Sequence, residues 1–217
     1  MQKKIWDMKW DKFTSIQDKS IPIILETTKD VILLSGTASG KTEAALLPII
    51  SYIENNAEDQ LKVLYISPLK ALINNQFERI EQLCEHSYIP VHKWHGDVGQ
   101  SNKNKFVKKP SGILQITPES VESLFINRTE HISHLFKGLE FIVIDEIHSF
   151  INTARGVQLR SLLSRIEDYT NERARIVGLS ATIDNFKLVK EWVNYKDKKN
   201  VEIIESKDSI CWEYRSR

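Results

Sequence analysis

Short runs of β-branched and aliphatic residues recur along the chain: Val31-Ile32-Leu33-Leu34, Val63-Leu64-Tyr65-Ile66, Ile113-Leu114-Gln115-Ile116, Phe141-Ile142-Val143-Ile144 and Ile176-Val177-Gly178-Leu179. Each is bounded by polar or turn-forming residues and is apolar almost throughout, not at alternate positions. Strands of that kind have both faces covered, as in a parallel sheet. Between them lie stretches with helical spacing. Residues 42–53 carry Ala44, Ala45, Leu47 and Ile50; residues 69–84 carry Leu72, Ile73, Phe77, Ile80 and Leu83; residues 156–169 carry Val157, Leu159, Leu162, Leu163 and Ile166. A further helical stretch, 186–193, precedes a short strand at 201–204. Strands alternating with helices predict βαβ units with right-handed crossovers, an α/β fold whose ligands sit at the C-terminal ends of the strands. The lysine-rich patches at 103–109 and 196–199 read as solvated loops. No internal repeat or low-complexity tract interrupts the pattern.

Composition narrows the class. With 217 residues the chain suits one large domain or two small ones. Its 30 Lys+Arg and 29 Asp+Glu leave a net charge of +1, which argues against binding nucleic acid by bulk charge and leaves room for a local phosphate groove. Cys84 and Cys211 stand far apart and outside any C-x-x-C, so neither a thiolate zinc site nor a disulfide framework is expected, and a reducing, cytoplasmic setting fits best. No apolar run reaches the roughly 18 residues of a membrane span, and Trp6 and Asp7 stand where a signal peptide would be apolar.

The first strand run ends at Ser35 and enters Gly36-Thr37-Ala38-Ser39-Gly40-Lys41-Thr42, then a helical stretch. This is nearly G-x-x-x-x-G-K-[ST], with Ser35 at the first glycine position. Gly36 and Gly40 let backbone N–H groups turn inward around anionic oxygens, and the following helix points its positive end at the same place. Lys41 adds a charge for the β- and γ-phosphates, and the Thr42 hydroxyl is a Mg²⁺ ligand in such loops. The bland alternative is an ordinary glycine-rich turn.

A second constellation follows another buried strand: Phe141-Ile142-Val143-Ile144-Asp145-Glu146-Ile147-His148. Beside a phosphate loop, Asp145 would hold Mg²⁺ and Glu146 would polarise the attacking water as general base. The alternative is a solvated turn with incidental acids. Together the two motifs point to hydrolysis of a nucleoside triphosphate. His148 has no second His or Cys at ligand spacing, so a metal role for it is poorly supported.

With these residues in view, the chain resembles a superfamily 2 helicase of the DEAD/DEAH-box type. The family's motifs occur in order: Ser35 to Thr42 as motif I, Ser67-Pro68-Leu69-Lys70-Ala71-Leu72 with Gln76 as motif Ia, Trp94-His95-Gly96-Asp97 as the glycine motif, Thr117-Pro118-Glu119-Ser120 as motif Ib, Asp145-Glu146-Ile147-His148 as motif II and Ser180-Ala181-Thr182 as motif III. The Pro-Leu-Lys-Ala-Leu form of motif Ia, the Trp-His-Gly-Asp stretch, and Arg155-Gly156 with Gln158-Leu159 make it most similar to the Lhr-like (large helicase-related) group.

The resemblance implies a RecA-like P-loop fold, a three-layer α/β/α sandwich around a mainly parallel sheet, that uses ATP and Mg²⁺. Lys41, Asp145 and Glu146 would be catalytic; Gln17, Thr37, Ala38, Ser39, Gly40, Lys41 and Thr42 would bind the nucleotide; Thr42 and Asp145 would hold the metal. Gln17, in Thr14-Ser15-Ile16-Gln17 before Ile21-Pro22, would read adenine, since an amide can pair with both its N6 donor and N7 acceptor. Trp10 or Phe13 could stack on the base or pack in the core. Pro68, Lys70, Gly96, Thr117, Pro118 and Glu119 would grip the sugar–phosphate backbone of one DNA or RNA strand without reading sequence, with Arg128 adding charge. Each of these could instead be a capping or surface residue, as Ser120 could merely support the turn. His148, Ser180 and Thr182 would link nucleotide state to grip, or Ser180 and Thr182 would simply satisfy a local turn.

The family also implies a second RecA-like domain supplying an arginine finger, and no such motif follows motif III. Residues 1–217 are therefore expected to be the first RecA-like domain, with 1–30 its adenine-recognition segment, binding ATP weakly, hydrolysing it slowly and not unwinding duplexes alone. Two other readings stay open: a superfamily 2 translocase that tracks along duplex, and a non-catalytic RecA-like binding module.

Overall fold

A computed structural model describes residues 12–36, 39–55 and 59–206. Thr37, Ala38 and Trp10, together with Cys211, Arg215 and Arg217, lie outside the described residues. The elements run α1 (Ser15–Glu26), β1 (Asp30–Leu34), α2 (Lys41–Asn55), β2 (Leu61–Ile66), α3 (Lys70–Cys84), β3 (Val91–Trp94), α4 (Gln100–Lys108), β4 (Gly112–Ile116), α5 (Pro118–Asn127), α6 (Ile132–Phe136), β5 (Phe141–Ile144), α7 (Ala154–Glu167), β6 (Arg175–Ser180), α8 (Phe186–Val193) and β7 (Val201–Glu205). Seven strands form one sheet in the order β3-β4-β2-β5-β6-β1-β7, and every pairing is parallel.

The apolar runs become strands because two layers of helix cover them. Along β1, Val31 and Leu33 face one layer with α1, α2 and α3, whereas Ile32 faces the other with α4 to α8. In β2 the division repeats: Val63 and Tyr65 go to the first layer, Leu64 and Ile66 to the second. Each such fully buried aliphatic side chain contributes about 1.5–3 kcal/mol relative to exposure. The architecture is thus an α/β fold, as the pattern predicted, and the three-layer α/β/α sandwich that the resemblance implied.

Two elements depart from the sequence reading. β3 is an edge strand with Val91 and His92 half-buried, Lys93 exposed and only Trp94 buried, so it lacks the continuous apolar signature. The lysine-rich patch at 103–109 is not a loop: most of it belongs to α4, because Phe106 and Val107 insert into the core while the lysines stay outside.

Because every pairing is parallel, the C-terminal ends of all strands emerge on one side, carrying Ser35, Ser67, His95, Thr117, Asp145, Ala181 and Ser206. Strand order sorts them. The loops after β3, β4 and β2 adjoin one another, and those after β5, β6 and β1 form the neighbouring group.

Candidate phosphate and strand-binding sites

The loop after β1 is anchored at both ends. The Ser35 N–H donates to the Ser180 carbonyl at 3.2 Å, and the Ala44 N–H donates to the Gly40 carbonyl at 2.9 Å, starting α2. Gly40 has a φ of 84°, a left-handed value that favours glycine. A Cβ there would sit 2.7 Å from Gln17 Nε2, so the loop lies directly on α1. Ser39 Oγ donates to the Gly36 carbonyl at 2.8 Å. Lys41 Nζ curls back onto the loop, donating to the Ser35 and Gly36 carbonyls at 2.6 Å each.

Gln17 is buried, with its Oε1 accepting the Thr14 N–H at 3.0 Å at the start of α1. One lone pair of the amide oxygen is therefore already used, which leaves Nε2, against Gly40, as its free donor. Phe13 packs against the core of the first layer.

Two strands away, the Asp145 N–H donates to the Ile66 carbonyl at 2.8 Å, and the Glu146 N–H donates to Asp145 Oδ1 at 3.0 Å. Asp145 is only 6% exposed. Burial first, and the adjacent Glu146 charge second, push its carboxyl up to about 6, against the pull of Tyr65, the Glu146 amide and Lys41. Lys41 is held below its ordinary range by burial, opposed by the charges of Glu146 and Asp145. The lysine and both carboxylates thus share one electrostatic site. Glu146 has φ 47° and ψ 47°. That left-handed backbone is uncommon for a non-glycine residue and is found at functional turns.

Tyr65 was not singled out by sequence. Its phenol is fully buried under Thr42 and Asp145 and makes no hydrogen bond of good geometry with either; burial, then the Asp145 charge, raise its pKa well above normal. The signal available was a hydroxyl inside an otherwise aliphatic buried run. Among the described residues no three His, Cys, Asp or Glu side chains gather as a metal site. A cation here would be held by Thr42, Asp145 and phosphate oxygens, which is how Mg²⁺ usually binds with nucleotides.

His148 Nδ1 lies 3.1 Å from Ser180 Oγ and 3.3 Å from Glu146 Oε2. Ser180, fully buried at the end of β6, donates to the Thr182 carbonyl at 2.6 Å. Thr182 is placed differently from Ser180. Its side chain is exposed, and it reaches Ser180 through the main chain. Only the Ser180 hydroxyl is against His148, because the chain turns away after β6.

The neighbouring loops are tied together by ion pairs. Lys70 Nζ meets Asp97 Oδ2 at 2.8 Å, joining the loop after β2 to that containing Gly96. Arg155, at the start of α7, donates to both Glu119 oxygens, at 2.7 and 3.0 Å, and to the Pro68 carbonyl at 2.5 Å. Burial pushes the Glu119 carboxyl up, but the Arg155 hydrogen bond and charge, backbone and Thr117 outweigh it and hold it below its ordinary value. Glu119 is therefore committed to Arg155. Thr117 Oγ1 accepts the Ser120 N–H at 3.4 Å, capping α5, and Pro118 opens the first turn of that helix. Ser120 thus serves the turn. Gly96 is exposed with nothing within 4 Å of a notional Cβ, and Arg128 pairs with Asn104 at 2.6 Å.

A parallel sheet between two helical layers, with a glycine-lysine loop after one central strand and paired acids after another, defines the RecA-like class of α/β domains. Residues 14–189 match the DEAD/DEAH box helicase family, and the chain belongs to it; that family uses ATP. The chain is 32% identical to the ATP-dependent helicase Lhr-Core of Methanocaldococcus jannaschii over 97% of its length and 28% of the relative's. It is 33% identical to the Lhr-Core of Saccharolobus solfataricus over 90% of its length and 24% of that protein's. It thus spans only about a quarter of these relatives. In fold it is similar to the Mycobacterium smegmatis helicase Lhr bound to ssDNA and AMP-PNP, with TM-score 0.80, 24% identity and coverage of 92% of this chain and 26% of that one. It is equally similar to the DEAD-box helicase Mss116 bound to ssRNA and UDP-BeF, with TM-score 0.80, 21% identity and coverage of 93% and 41%.

Proposed function

We propose that residues 1–217 act as the first RecA-like domain of a two-domain, ATP-driven helicase of the Lhr-like type, working on nucleic acid in the cytoplasm. The observation that carries this reading is the shared electrostatic site of Lys41, Asp145 and Glu146 at the strand ends. The loop from Gly36 to Thr42, Thr37 and Ala38 included, would hold the phosphates with its amides and with the positive end of α2. Lys41 would exchange its loop carbonyls for phosphate oxygens. Gln17 would offer Nε2 and its remaining lone pair to adenine. Thr42 and Asp145 would hold Mg²⁺, which supplies neutralisation of the phosphate charge. Glu146, aimed by its left-handed backbone, would accept the proton of the attacking water.

The strand would lie across the adjoining loops, on Pro68, Lys70, Gly96, Thr117 and Pro118, with Glu119 acting by holding Arg155. Contacts of this kind position phosphates and carry no sequence information. His148, between Glu146 and Ser180, would relay the state of the nucleotide to that surface.

Calorimetric titration with ATP and Mg²⁺ tests the nucleotide half. Wild-type chain is expected to bind, and Lys41→Ala to lose at least tenfold in affinity while keeping its unfolding temperature. Affinity unaltered by Lys41→Ala would remove the reading.

A further inference from the structure

The open edge of the sheet carries a second concave surface. Among the described residues β3 pairs only with β4, and a groove of about 340 Å³ runs beside it between α3 and α4. Its walls are aromatic: Phe77 from α3, His92 and Trp94 from β3, and Phe106 from α4. His92 and Phe106 pack at 4.8 Å between ring centroids, and Trp94 meets the edge of Phe106 at 6.1 Å. The rim is basic, with Lys93 over Phe77 at 4.7 Å and Lys103 over Trp94 at 5.7 Å. Lys105 and Lys109 extend it, and among the described residues no carboxylate lines the groove. Asp97 pairs with Lys70, and Lys109 is itself paired with Asp59, each at 2.8 Å. His92 Nε2 is buried without a hydrogen-bond partner.

Flat aromatic walls with ammonium groups around them suit an aromatic anion. Nucleotides are that chemistry: the base stacks, and the phosphate meets lysine. The position gives the source. β3 runs directly into His95-Gly96-Asp97, so a strand leaving the loops at Gly96 meets this groove next. We infer that the groove between α3, β3 and α4 is a second nucleic-acid contact, holding one nucleotide of the strand beyond the loop track. The base would lie against Phe77 and the edge of Trp94, with Lys103 and Lys105 on the phosphates. The inference rests on the strand-gripping reading proposed above.

The test uses the whole chain and labelled oligothymidylates, one of about 16 nucleotides that covers both surfaces and one of about 4 that fills the loops alone. Fluorescence anisotropy is read across a salt series. The long probe also carries 4-thiothymidine for crosslinking, mapped by mass spectrometry. Lys103→Glu combined with Lys105→Glu is expected to weaken the long probe roughly tenfold and the short probe less than about twofold. The salt slope should fall by about 1.4 for two lost phosphate contacts. Wild-type crosslinks should fall at Phe77, within residues 91–94 or within residues 102–109, and vanish in the variant, whose ATP affinity and unfolding temperature stay unchanged. Equal binding of the long probe by variant and wild type, or no crosslink at Phe77, 91–94 or 102–109, overturns the groove and leaves the loop track standing. Failure of the wild type to bind either probe overturns both. Protection of that crosslink by thymidine monophosphate as effectively as by unlabelled strand would assign the groove to a free nucleotide and overturn it as a strand contact.

Discussion

At the scale of the residue, Asp145 is the most informative group. Its pKa stands near 6, above the ordinary carboxylate value, because of burial and then Glu146. Between roughly pH 4 and 6 the folded state keeps a proton that the unfolded chain releases. Stability from this group is therefore complete below the ordinary pKa and is lost as pH rises through the folded one. Above it, the ionised carboxylate is a standing cost on the order of 2–3 kcal/mol. Asp145→Asn should accordingly stabilise the chain most above pH 6 and hardly at all near pH 4 in urea unfolding; equal stabilisation at both would refute the assignment. Tyr65→Phe probes the same pocket. The lost hydroxyl makes no well-formed hydrogen bond, so stability should change by less than about 1 kcal/mol. Urea unfolding at neutral pH would record it.

At the scale of the element, α7 is the piece that joins functional loops. Thr153 Oγ1 caps it by accepting the Gly156 N–H at 3.0 Å, and Gly156 packs so closely that a Cβ would stand 1.7 Å from the Phe150 carbonyl oxygen. Gly156→Ala should cost roughly 3 kcal/mol or more, since backbone must move, and denaturant melts would record it. Arg155→Ala is expected to act differently. It frees Glu119 and the Pro68 carbonyl together, so strand affinity should drop several-fold while ATP affinity holds; a parallel fall in both would mean a general loss of structure. Much of this scale was legible beforehand, for physical reasons. Strand runs apolar at nearly every position announced a doubly covered sheet, and the loop after Leu34 carries its chemistry in contiguous residues. The edge strand β3 was hidden because one flank lies open and tolerates His92 and Lys93. Helix α4 was hidden because its lysines outnumber its two core residues, Phe106 and Val107. Tyr65 and the Arg155 bridge arise from strands and loops meeting in space, which no local pattern encodes.

At the scale of the whole molecule, the candidate phosphate site lies at the rim where the strands end, and arginines are spent away from it. Every described arginine is engaged elsewhere: Arg79 with Glu43, Arg128 with Asn104, Arg155 with Glu119, Arg160 with Glu167, Arg165 over Phe125, Arg173 with Asp30, and Arg175 with the Ile24 and Lys29 carbonyls. Since an arginine at the transferred phosphoryl contributes roughly 10³–10⁵ in rate, single-turnover hydrolysis by this chain should be slow by about that factor. Brisk hydrolysis stimulated by nucleic acid would contradict it. Asp30 lies at the other extremity of β1. It has no exposed surface, yet it receives Arg173 at 3.0 Å, Asn194 at 2.9 Å and the Ile176 N–H at 2.8 Å. That anion works as a keel bolt. It fastens β1, β6 and the end of α8 into one stiff plank, so any movement that ligands impose at the strand ends is left to the loops at the opposite rim and not to slippage between planks.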